Sequence, residues 1–312
     1  MVLVVGIDVG GSGVRGRAER DGHVLSEASI PGPVRMTGTD LAPVVAALVR
    51  TLTSPAGPVD AVVIGCAGVA TFGAALRDPL VAAVPGTRVA VCSDLLTAYV
   101  GGLGLSAATL LTDGGSGVVL AAGTGAVAFG GAPVTGWRRV DGWGHLLGDD
   151  GGGAWIGRAG LRAALRAVDG RPGGSATLLD LMRARLGEPS EVIADLTGRP
   201  DRAGAMAAFA PSVIEAAARD PIATGILAEA AVHLADTAHA ATDSGDVAVV
   251  GNLVRPGGPL AESLGNTLRA HGMTPRAAAG APLDGAVTLA RALCRGTPAD
   301  ALATAGALTV HG

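Results

Sequence analysis

The sequence predicts an α/β fold of two lobes with a ligand cleft between them. Short apolar, β-branched runs alternate with helical stretches, which is typical of a mixed sheet flanked by helices. Two glycine-rich turns, each between two apolar runs, stand far apart in the chain and suggest two similar halves. The chain of 312 residues has room for both. We expect a first lobe over 1–104, completed by a C-terminal helix near 286–312, a second lobe over 105–285, and a hinge at Gly101–Ser106.

The first glycine turn follows an apolar strand predicted at Val2–Val9 and precedes a second one at Val14–Arg20. Asp8 lies near the end of the first strand. Glycines let a backbone approach an anion closely, and a carboxylate beside them can hold a metal ion. The turn is therefore a candidate phosphate cradle with a magnesium partner, or alternatively an ordinary tight hairpin. Its residues are Gly10, Gly11, Ser12 and Gly13.

The second glycine turn repeats this plan within Gly117–Gly130. An apolar strand runs into Gly123-Thr124-Gly125, and another apolar strand follows. The chain contains no lysine, which excludes a Walker A loop because that motif requires lysine after its glycines. Any bound phosphates must therefore be held by backbone N–H groups, hydroxyls, arginine or a metal ion.

Composition excludes several classes of partner. The net charge is −4, with no basic stripe for nucleic acid and no basic amphipathic helix for a membrane. No apolar run is long enough to span a bilayer, and the N-terminal run meets Asp8 too early for a secretory signal. Cys66, Cys92 and Cys294 are widely spaced, which favours a reducing compartment over a disulfide frame or a zinc site. We expect a cytoplasmic protein.

Hydrophobic periodicity and turn residues place the remaining elements. Strands are predicted at Val59–Cys66, Arg88–Cys92, Thr109–Thr112, Gly117–Ala122 and Asp246–Val250. Helices are predicted at Asp40–Leu52, Trp155–Val168, Ser175–Leu186, Pro221–Thr242, Pro259–His271 and Asp284–Arg295, with shorter helical pieces in Ser190–Phe209. Gly136–Gly153 is predicted to be an irregular connection.

Two further features could carry chemistry. Asp94 follows a predicted strand, so its carboxylate could accept the proton of an attacking hydroxyl, or it could cap the next helix, or both. The stretch Asp141–Ile156, DGWGHLLGDDGGGAWI, combines a tryptophan between glycines with a histidine and two adjacent carboxylates. Carboxylates bind sugar hydroxyls and an aromatic face stacks on a sugar ring, so this stretch is a candidate sugar site.

These motifs together resemble a known family. The two loops are similar to the phosphate loops of the actin, sugar kinase and Hsp70 superfamily, whose two-lobe fold is ribonuclease H-like. The tryptophan stretch is similar to the GGWG-x-x-x-GDEG pattern of N-acetylglucosamine kinases in the BadF/BadG/BcrA/BcrD ATPase group. The resemblance extends to the closing APLDGA at Ala281–Ala286. It implies an ATP-dependent kinase that phosphorylates an amino sugar, most simply N-acetylglucosamine at its 6-hydroxyl.

The resemblance also implies a role for each matching residue. Asp94 would be the catalytic base, and Asp8 would hold Mg²⁺ through water. ATP phosphates would bind Gly10, Gly11, Ser12, Gly13, Gly123, Thr124 and Gly125. Adenosine would bind Gly251, Asn252 and Leu253. The sugar would contact Asp94, Thr124, Gly125, Trp143, Gly144, Asp149 and Asp150. We expect ATP and Mg²⁺ as cofactors and a homodimer as the assembly.

Departures from the family pattern keep the sugar open. Asp150 stands where glutamate is usual, and Asn252 where a second glycine is common. The segment 31–36 lacks the asparagine that family members place there on a sugar hydroxyl. Glucosamine or another hexose is therefore an alternative substrate.

Two alternatives belong to other classes. One is an ATP-driven activator of a dehydratase or reductase, which needs cysteines placed to share an iron–sulfur cluster; Cys66 and Cys92 do not form such a pair in sequence. The other is a sugar-responsive repressor, which would need an added helix-turn-helix. The sequence begins directly at the first strand, and we expect no such domain.

Overall fold

The computed structural model describes residues 1–10, 13–32, 37–54, 57–112, 116–132, 136–242, 245–296 and 308–311. The strands, in chain order, are β1 (Leu3–Gly10), β2 (Gly13–Arg20), β3 (His23–Pro31), β4 (Ala61–Cys66), β5 (Arg88–Ser93), β6 (Gly117–Ala122), β7 (Ala126–Ala132), β8 (Gly136–Asp141), β9 (Gly245–Val250), β10 (Met273–Ala277) and β11 (Leu308–His311). The helices are α1 (Gly38–Thr53), α2 (Val69–Phe72), α3 (Ala74–Ala82), α4 (Asp94–Gly102), α5 (Ala107–Thr112), α6 (Gly153–Val168), α7 (Ala176–Leu186), α8 (Pro189–Gly198), α9 (Arg202–Ala207), α10 (Ala210–Ala216), α11 (Pro221–Ala241), α12 (Pro259–Ala270) and α13 (Pro282–Arg295).

The strands form two sheets. The first has the order β11-β5-β4-β1-β2-β3, and the second has the order β10-β9-β6-β7-β8. In the first sheet β1, β2 and β3 are an antiparallel meander, while β4 runs parallel to both β1 and β5. The carboxyl ends of β1, β4 and β5 therefore meet at one edge of that sheet, which is where ligands bind in such folds.

The core of the first sheet contains the apolar faces of its strands and of α1. The helix buries Leu41, Val45, Leu48 and Leu52, which are the positions that the helical period predicts. They belong to one cluster with strand residues such as Ile7 and Ile64. Burial of this stripe fixes α1 against the sheet.

Helix α13 packs closely against β1 and α4. A Cβ atom added at Gly285 would lie 1.9 Å from the carbonyl oxygen of Thr97, so only glycine allows this approach of the two helices. The DGA triplet in the APLDGA segment is thus a packing feature as well as a helix start.

Packing divides the chain into two compact units. One contains Met1–Val119, Phe129–Arg138 and Ala277–Gly312, and the other contains Leu120–Ala128 and Arg139–Arg276. In the second unit α6 packs against α7, α9, α10 and α11, and α11 also packs against α12. Which parts of the chain move as rigid lobes stays a prediction, as does a hinge at Gly101–Ser106. No helix in the described ranges is both long and apolar enough to cross a membrane.

Most predicted elements are confirmed, and three predictions need correction. Thr109–Thr112 is not a strand, because these residues belong to α5. The connection Gly136–Gly153 was predicted to be irregular, but its first residues, Gly136–Asp141, form the strand β8. The helix predicted near 286–312 covers Pro282–Arg295, and Leu308–His311 pairs as a strand with β5. The short helices α2 and α3 and the edge strand β10 had no sequence prediction.

Candidate functional site

The first glycine hairpin joins β1 to β2. Gly10 pairs with Gly13 at its end, and Asp8 pairs with Arg15 across the two strands. Gly11 and Ser12, which complete the predicted phosphate loop, lie outside the described residues. Asp8 is 7 % exposed, and its carboxylate lies 3.6 Å from the guanidinium of the exposed Arg15. A nearly buried carboxylate therefore stands at the base of the hairpin.

Asp94 is placed at the same edge of the sheet by β5. The register aligns Asp8 of β1 with Gly65 of β4, and Gly65 with Cys92 of β5, so Asp94 begins α4 just beyond the strand ends. The helix cap is Ser93 and not Asp94: the Ser93 hydroxyl accepts the Leu95 N–H at 3.2 Å. The same hydroxyl donates to Oδ1 of Asp94 at 3.3 Å. The capping role considered for Asp94 belongs to its neighbour.

Asp8 and Asp94 are electrostatically coupled. Burial, and then the negative charge of Asp94, raise the pKa of Asp8 to about 6, against a smaller lowering by Arg15. Burial and the same two carboxylates raise the pKa of Cys66 to about 12, and burial raises that of Cys92 as well. Both thiols are therefore protonated and unreactive at neutral pH.

This pair of carboxylates fits a magnesium ion that also binds substrate phosphates. Mg²⁺ is usually held by one or two carboxylates, waters and phosphate oxygens rather than by a cage of protein ligands. Among the described residues no group of three or more His, Cys, Asp or Glu side chains could hold a metal ion, so a complete protein cage is not formed there. A divalent cation at Asp8 would offset the cost of its buried charge.

The second glycine loop is fixed to the start of α6. Gly123 donates its N–H to the carbonyl of Gly125 at 2.9 Å, which closes the turn between β6 and β7. The carbonyls of Gly123 and Thr124 accept the N–H groups of Gly153 and Ala154, both at 2.8 Å. The loop carbonyls thus face the start of α6, and these hydrogen bonds restrict the conformation of the loop.

Asp149 packs directly against this loop. A Cβ atom added at Gly125 would lie 2.6 Å from the Asp149 carboxylate, so Gly125 must be glycine for Asp149 to sit there. Oδ1 of Asp149 accepts a long hydrogen bond, 3.4 Å, from the N–H of Ala126. Burial raises the pKa of Asp149, and the charge of Asp141 acts in the same direction. The structure therefore brings together two residues, Gly125 and Asp149, that the sequence assigns to the sugar.

Asp141 organises the loop that carries Trp143 and Asp149. Its carboxylate accepts the N–H groups of Asp149 at 2.8 Å and Asp150 at 2.9 Å, and of Trp143 at 3.5 Å. Trp143 is 72 % exposed, and the guanidinium of Arg139 lies 5.5 Å from its ring centroid, a cation–π distance. The ring is available to a ligand.

A cavity of about 640 Å³ joins the second glycine loop to the 251–253 turn. Its volume is in the usual range for small-molecule sites. The turn follows β9, and the N–H of Leu253 reaches the carbonyl of Ala122 in β6 at 3.3 Å. The lining residues are Gly123, Thr124, Gly153, Ala207, Ala210, Pro211, Ile214, Glu215, Gly251, Asn252, Leu253 and Arg255. The predicted phosphate and adenosine loops of this unit thus line one space.

Asp150 faces a different space from Asp149. It lines a smaller cavity, of about 250 Å³, together with Trp155, Arg158 and His233. Trp155 and His233 meet edge to face, with ring centroids 5.0 Å apart. The two adjacent carboxylates that the sequence groups in one sugar site therefore have different surroundings.

Sequence reasoning missed three contributors. Asp141 is the organiser of the tryptophan loop, and its only sequence signal is the Asp-Gly turn pair. Ser93 caps α4, and Ser before Asp is a usual capping signal. Helix α10, which supplies one wall of the larger cavity, reaches it only through tertiary packing and gives no local signal.

Comparisons with known proteins concern the family and the fold. The model of the BadF/BadG/BcrA/BcrD ATPase family matches residues 5–269. A curated relative, the N-acetylmuramic acid/N-acetylglucosamine kinase of Clostridium acetobutylicum, is 38 % identical over 64 residues; that match spans 20 % of this chain and 20 % of the relative.

Solved structures share the fold over nearly the whole chain. A provisionally named N-acetylglucosamine kinase from Chromobacterium violaceum has 26 % identity and a TM-score of 0.74, covering 93 % of this chain and 99 % of its own. A ROK family glucokinase from Streptomyces griseus, solved with glucose and AMPPNP, has 20 % identity and a TM-score of 0.55, with 93 % and 99 % covered. The latter likeness concerns the fold alone.

The predicted α/β, actin-like fold class is therefore confirmed, and the predicted enzyme class, an ATP-using sugar kinase, is confirmed at the level of family and fold. The family model covers most of the sequence, from the first strand to the end of α12. The chain belongs to the BadF/BadG/BcrA/BcrD ATPase family.

Proposed function

We propose that this protein transfers the γ-phosphoryl group of ATP to the 6-hydroxyl of an amino sugar, with N-acetylglucosamine as the first candidate. The observation that supports this best is the shared cavity of about 640 Å³ between Gly123-Thr124 and Gly251–Leu253. A nucleotide placed there would have its phosphates at the second glycine loop, and Asp149 packs against Gly125 of the same loop.

Phosphoryl transfer asks the protein mainly for positioning and charge stabilisation. The oxygen of the sugar hydroxyl forms a bond to the γ-phosphorus, and the bond from that phosphorus to the β,γ-bridging oxygen breaks. The electron pair of the broken bond leaves with ADP. The hydroxyl proton passes to the carboxylate of Asp94, which acts as general base.

The remaining residues would bind ATP, Mg²⁺ and the sugar and hold them in position. Backbone N–H groups of Gly10–Gly13, Thr124 and Gly125 would hold the phosphates, since the chain has no lysine for that purpose. Gly123, whose N–H donates to the Gly125 carbonyl, would shape the second loop. Asp8 would hold Mg²⁺, which when bound neutralises phosphate charge. Trp143, Gly144 and Asp149 would bind the sugar, with Asp150 at its edge, and Asn252 and Leu253 would contact adenosine.

The sugar itself is the finer part of the proposal. The names of the curated relative and of the Chromobacterium protein favour N-acetylglucosamine, and the former adds N-acetylmuramic acid. Glucosamine or another hexose is the alternative, since the segment 31–36 lacks the asparagine that family members place on a sugar hydroxyl. Residues 33–36 of that segment lie outside the described residues. A cytoplasmic location and a homodimer stay predictions.

The activator of a dehydratase or reductase is less well supported. Cys66 and Cys92 lie fully buried in adjacent strands with raised thiol pKa values, whereas a cluster shared across a dimer needs its ligand cysteines at the surface where the subunits meet. A brown colour in the purified protein would favour the activator.

An ADP-release assay in Mg²⁺ tests the proposal. The panel contains N-acetylglucosamine, N-acetylmuramic acid, glucosamine and glucose, with 6-deoxy-N-acetylglucosamine as the matched control. We expect sugar-dependent ADP release with at least one amino sugar and none with the 6-deoxy sugar. Release that no sugar stimulates, from protein that binds ATP, would contradict the proposal.

A further inference from the structure

The loop between β8 and α6 depends on one carboxylate. Asp141 ends β8, and the chain then makes a tight irregular path to Asp150. Oδ1 of Asp141 accepts the Asp149 N–H at 2.8 Å, and Oδ2 accepts the Asp150 N–H at 2.9 Å. The carboxylate thus ties the end of the loop to its beginning. We call residues 142–150 the tryptophan loop.

Asp141 occupies an unusual backbone conformation. Its φ is +62°, in the left-handed region that favours glycine, and Asp149 has a φ of +59°. The GGWG-x-x-x-GDEG pattern, to which this stretch is similar, has glycine at the position of Asp141. This chain therefore accepts backbone strain at Asp141 and gains a side chain that the glycine would lack.

The surroundings of the carboxylate are adapted to it. A Cβ atom added at Gly148 would lie 2.3 Å from Oδ1 of Asp141, so residue 148 must be glycine for the carboxylate to sit there. Arg139, two residues earlier, supports the same loop: it donates to the carbonyl of Gly142 at 2.5 Å and lies over the Trp143 ring. Both ends of the loop are thus held from β8.

From this geometry we infer that Asp141 is a positioning residue for sugar binding. It fixes the backbone of Asp149, which places the Asp149 carboxylate against Gly125, and it fixes the turn that presents Trp143. Asp141 itself acts through these neighbours. The inference rests on the proposed function for its sugar, while the tie between Asp141 and the two N–H groups stands on geometry alone.

Three variants separate this role from a general effect on folding. Asp141→Gly removes the carboxylate but suits the left-handed conformation, so the backbone can keep its path. Asp141→Asn keeps an oxygen acceptor for one N–H and loses the other. Asp21→Gly is the matched control, because Asp21 also has a positive φ, +48°, and also accepts a backbone N–H, from Val2 at 2.8 Å, at a hairpin in the other unit.

Two measurements compare these variants with the wild-type protein. In Asp141→Gly we expect hydrogen exchange at the Asp149 and Asp150 N–H groups to be faster by about tenfold or more. The KM for the sugar should rise by about 10- to 100-fold with the KM for ATP within about twofold, because only the sugar loop is loosened. Asp141→Asn should fall between wild type and glycine in both measurements, and Asp21→Gly should change neither.

The possible outcomes are distinguishable. Unchanged exchange at both N–H groups would overturn the tie, and an equal rise in both KM values would overturn a role specific to the sugar. If the wild-type protein phosphorylates no sugar, the proposed function and the sugar role fail together, while the exchange measurement still decides whether Asp141 holds the loop.

Discussion

Arg17 and Asp284, which are 267 positions apart in the chain, meet through a hydrogen bond of 2.5 Å between Nη1 and Oδ1. Arg17 lies on β2, the strand that follows the first glycine hairpin, and Asp284 lies in the first turn of α13. Arg17 also contacts Glu27 on β3 and lies 3.8 Å from the buried Glu19, which pairs with Arg291 of α13. This ionic network fastens the C-terminal helix to the meander that carries the first hairpin.

The first prediction concerns this network. Arg17→Met should lower the free energy of unfolding by about 2–4 kcal/mol, because it leaves carboxylates without their partner in a partly buried place. Urea denaturation measures the change. The matched control is Arg199→Met, whose exposed i,i+4 pair with Asp195 should contribute less than about 1 kcal/mol. Equal losses in the two variants would contradict a structural role for the network.

Much of the fold follows from local sequence. The glycine hairpins, α1 and α11 were predictable because a turn or an apolar stripe decides them within a few residues. Helix α5 was mistaken for a strand because its six residues include Leu and Thr, whereas the Ser106 hydroxyl, which accepts the Thr109 N–H at 3.1 Å, and packing against α13 favour a helix. Strand β11 depends on pairing with the distant β5, which no local pattern shows.

The candidate site divides in the same way. Its glycine loops and carboxylates could be suggested from the sequence because these residues stand in short, recognisable motifs. The tie from Asp141 to the Asp149 N–H and the separate surroundings of Asp150 depend on side-chain directions. Those directions appear only after the loop has folded.

A second prediction follows from the raised pKa of Asp8. The pKa is about 6 in the folded protein and about 3.8 in the unfolded chain, so folding takes up a proton between those values. The contribution of Asp8 to the free energy of unfolding therefore falls as pH rises from about 4 to 6, and it stays low above pH 6. Asp8→Asn should stabilise the protein without nucleotide or Mg²⁺ by at most about 3 kcal/mol at pH 8, and by about half as much at pH 5.

Thermal denaturation from pH 5 to pH 8 measures this effect, with the exposed Asp78→Asn as control. The Asp8→Asn enzyme should nevertheless be inactive, because it lacks the carboxylate proposed for Mg²⁺. A gain in Tm that is the same at every pH would show that the charge of Asp8 is not the cause.

A third prediction concerns the contact between Gly125 and Asp149. Gly125→Ala introduces a Cβ 2.6 Å from the Asp149 carboxylate, so the Asp149 side chain must rotate away from its position or one of the two loops must move. We expect kcat/KM for the sugar to fall by about 10²-fold. Gly225→Ala, at an exposed position in the second turn of α11 where an added Cβ meets no atom within 4 Å, is the control and should keep full activity. Steady-state kinetics decides, and a Gly125→Ala enzyme as active as the control would refute the importance of this contact.

The proposed phosphoryl transfer requires that the Asp94 carboxylate takes the proton of the sugar hydroxyl. Asp94→Asn keeps the size of the side chain and the Ser93 cap of α4 but removes the base. The most direct measurement is the turnover number of this variant with the preferred sugar, beside its Kd for ATP. We expect a turnover number lower by about 10²-fold or more, with ATP binding largely kept. Near-normal turnover would contradict it.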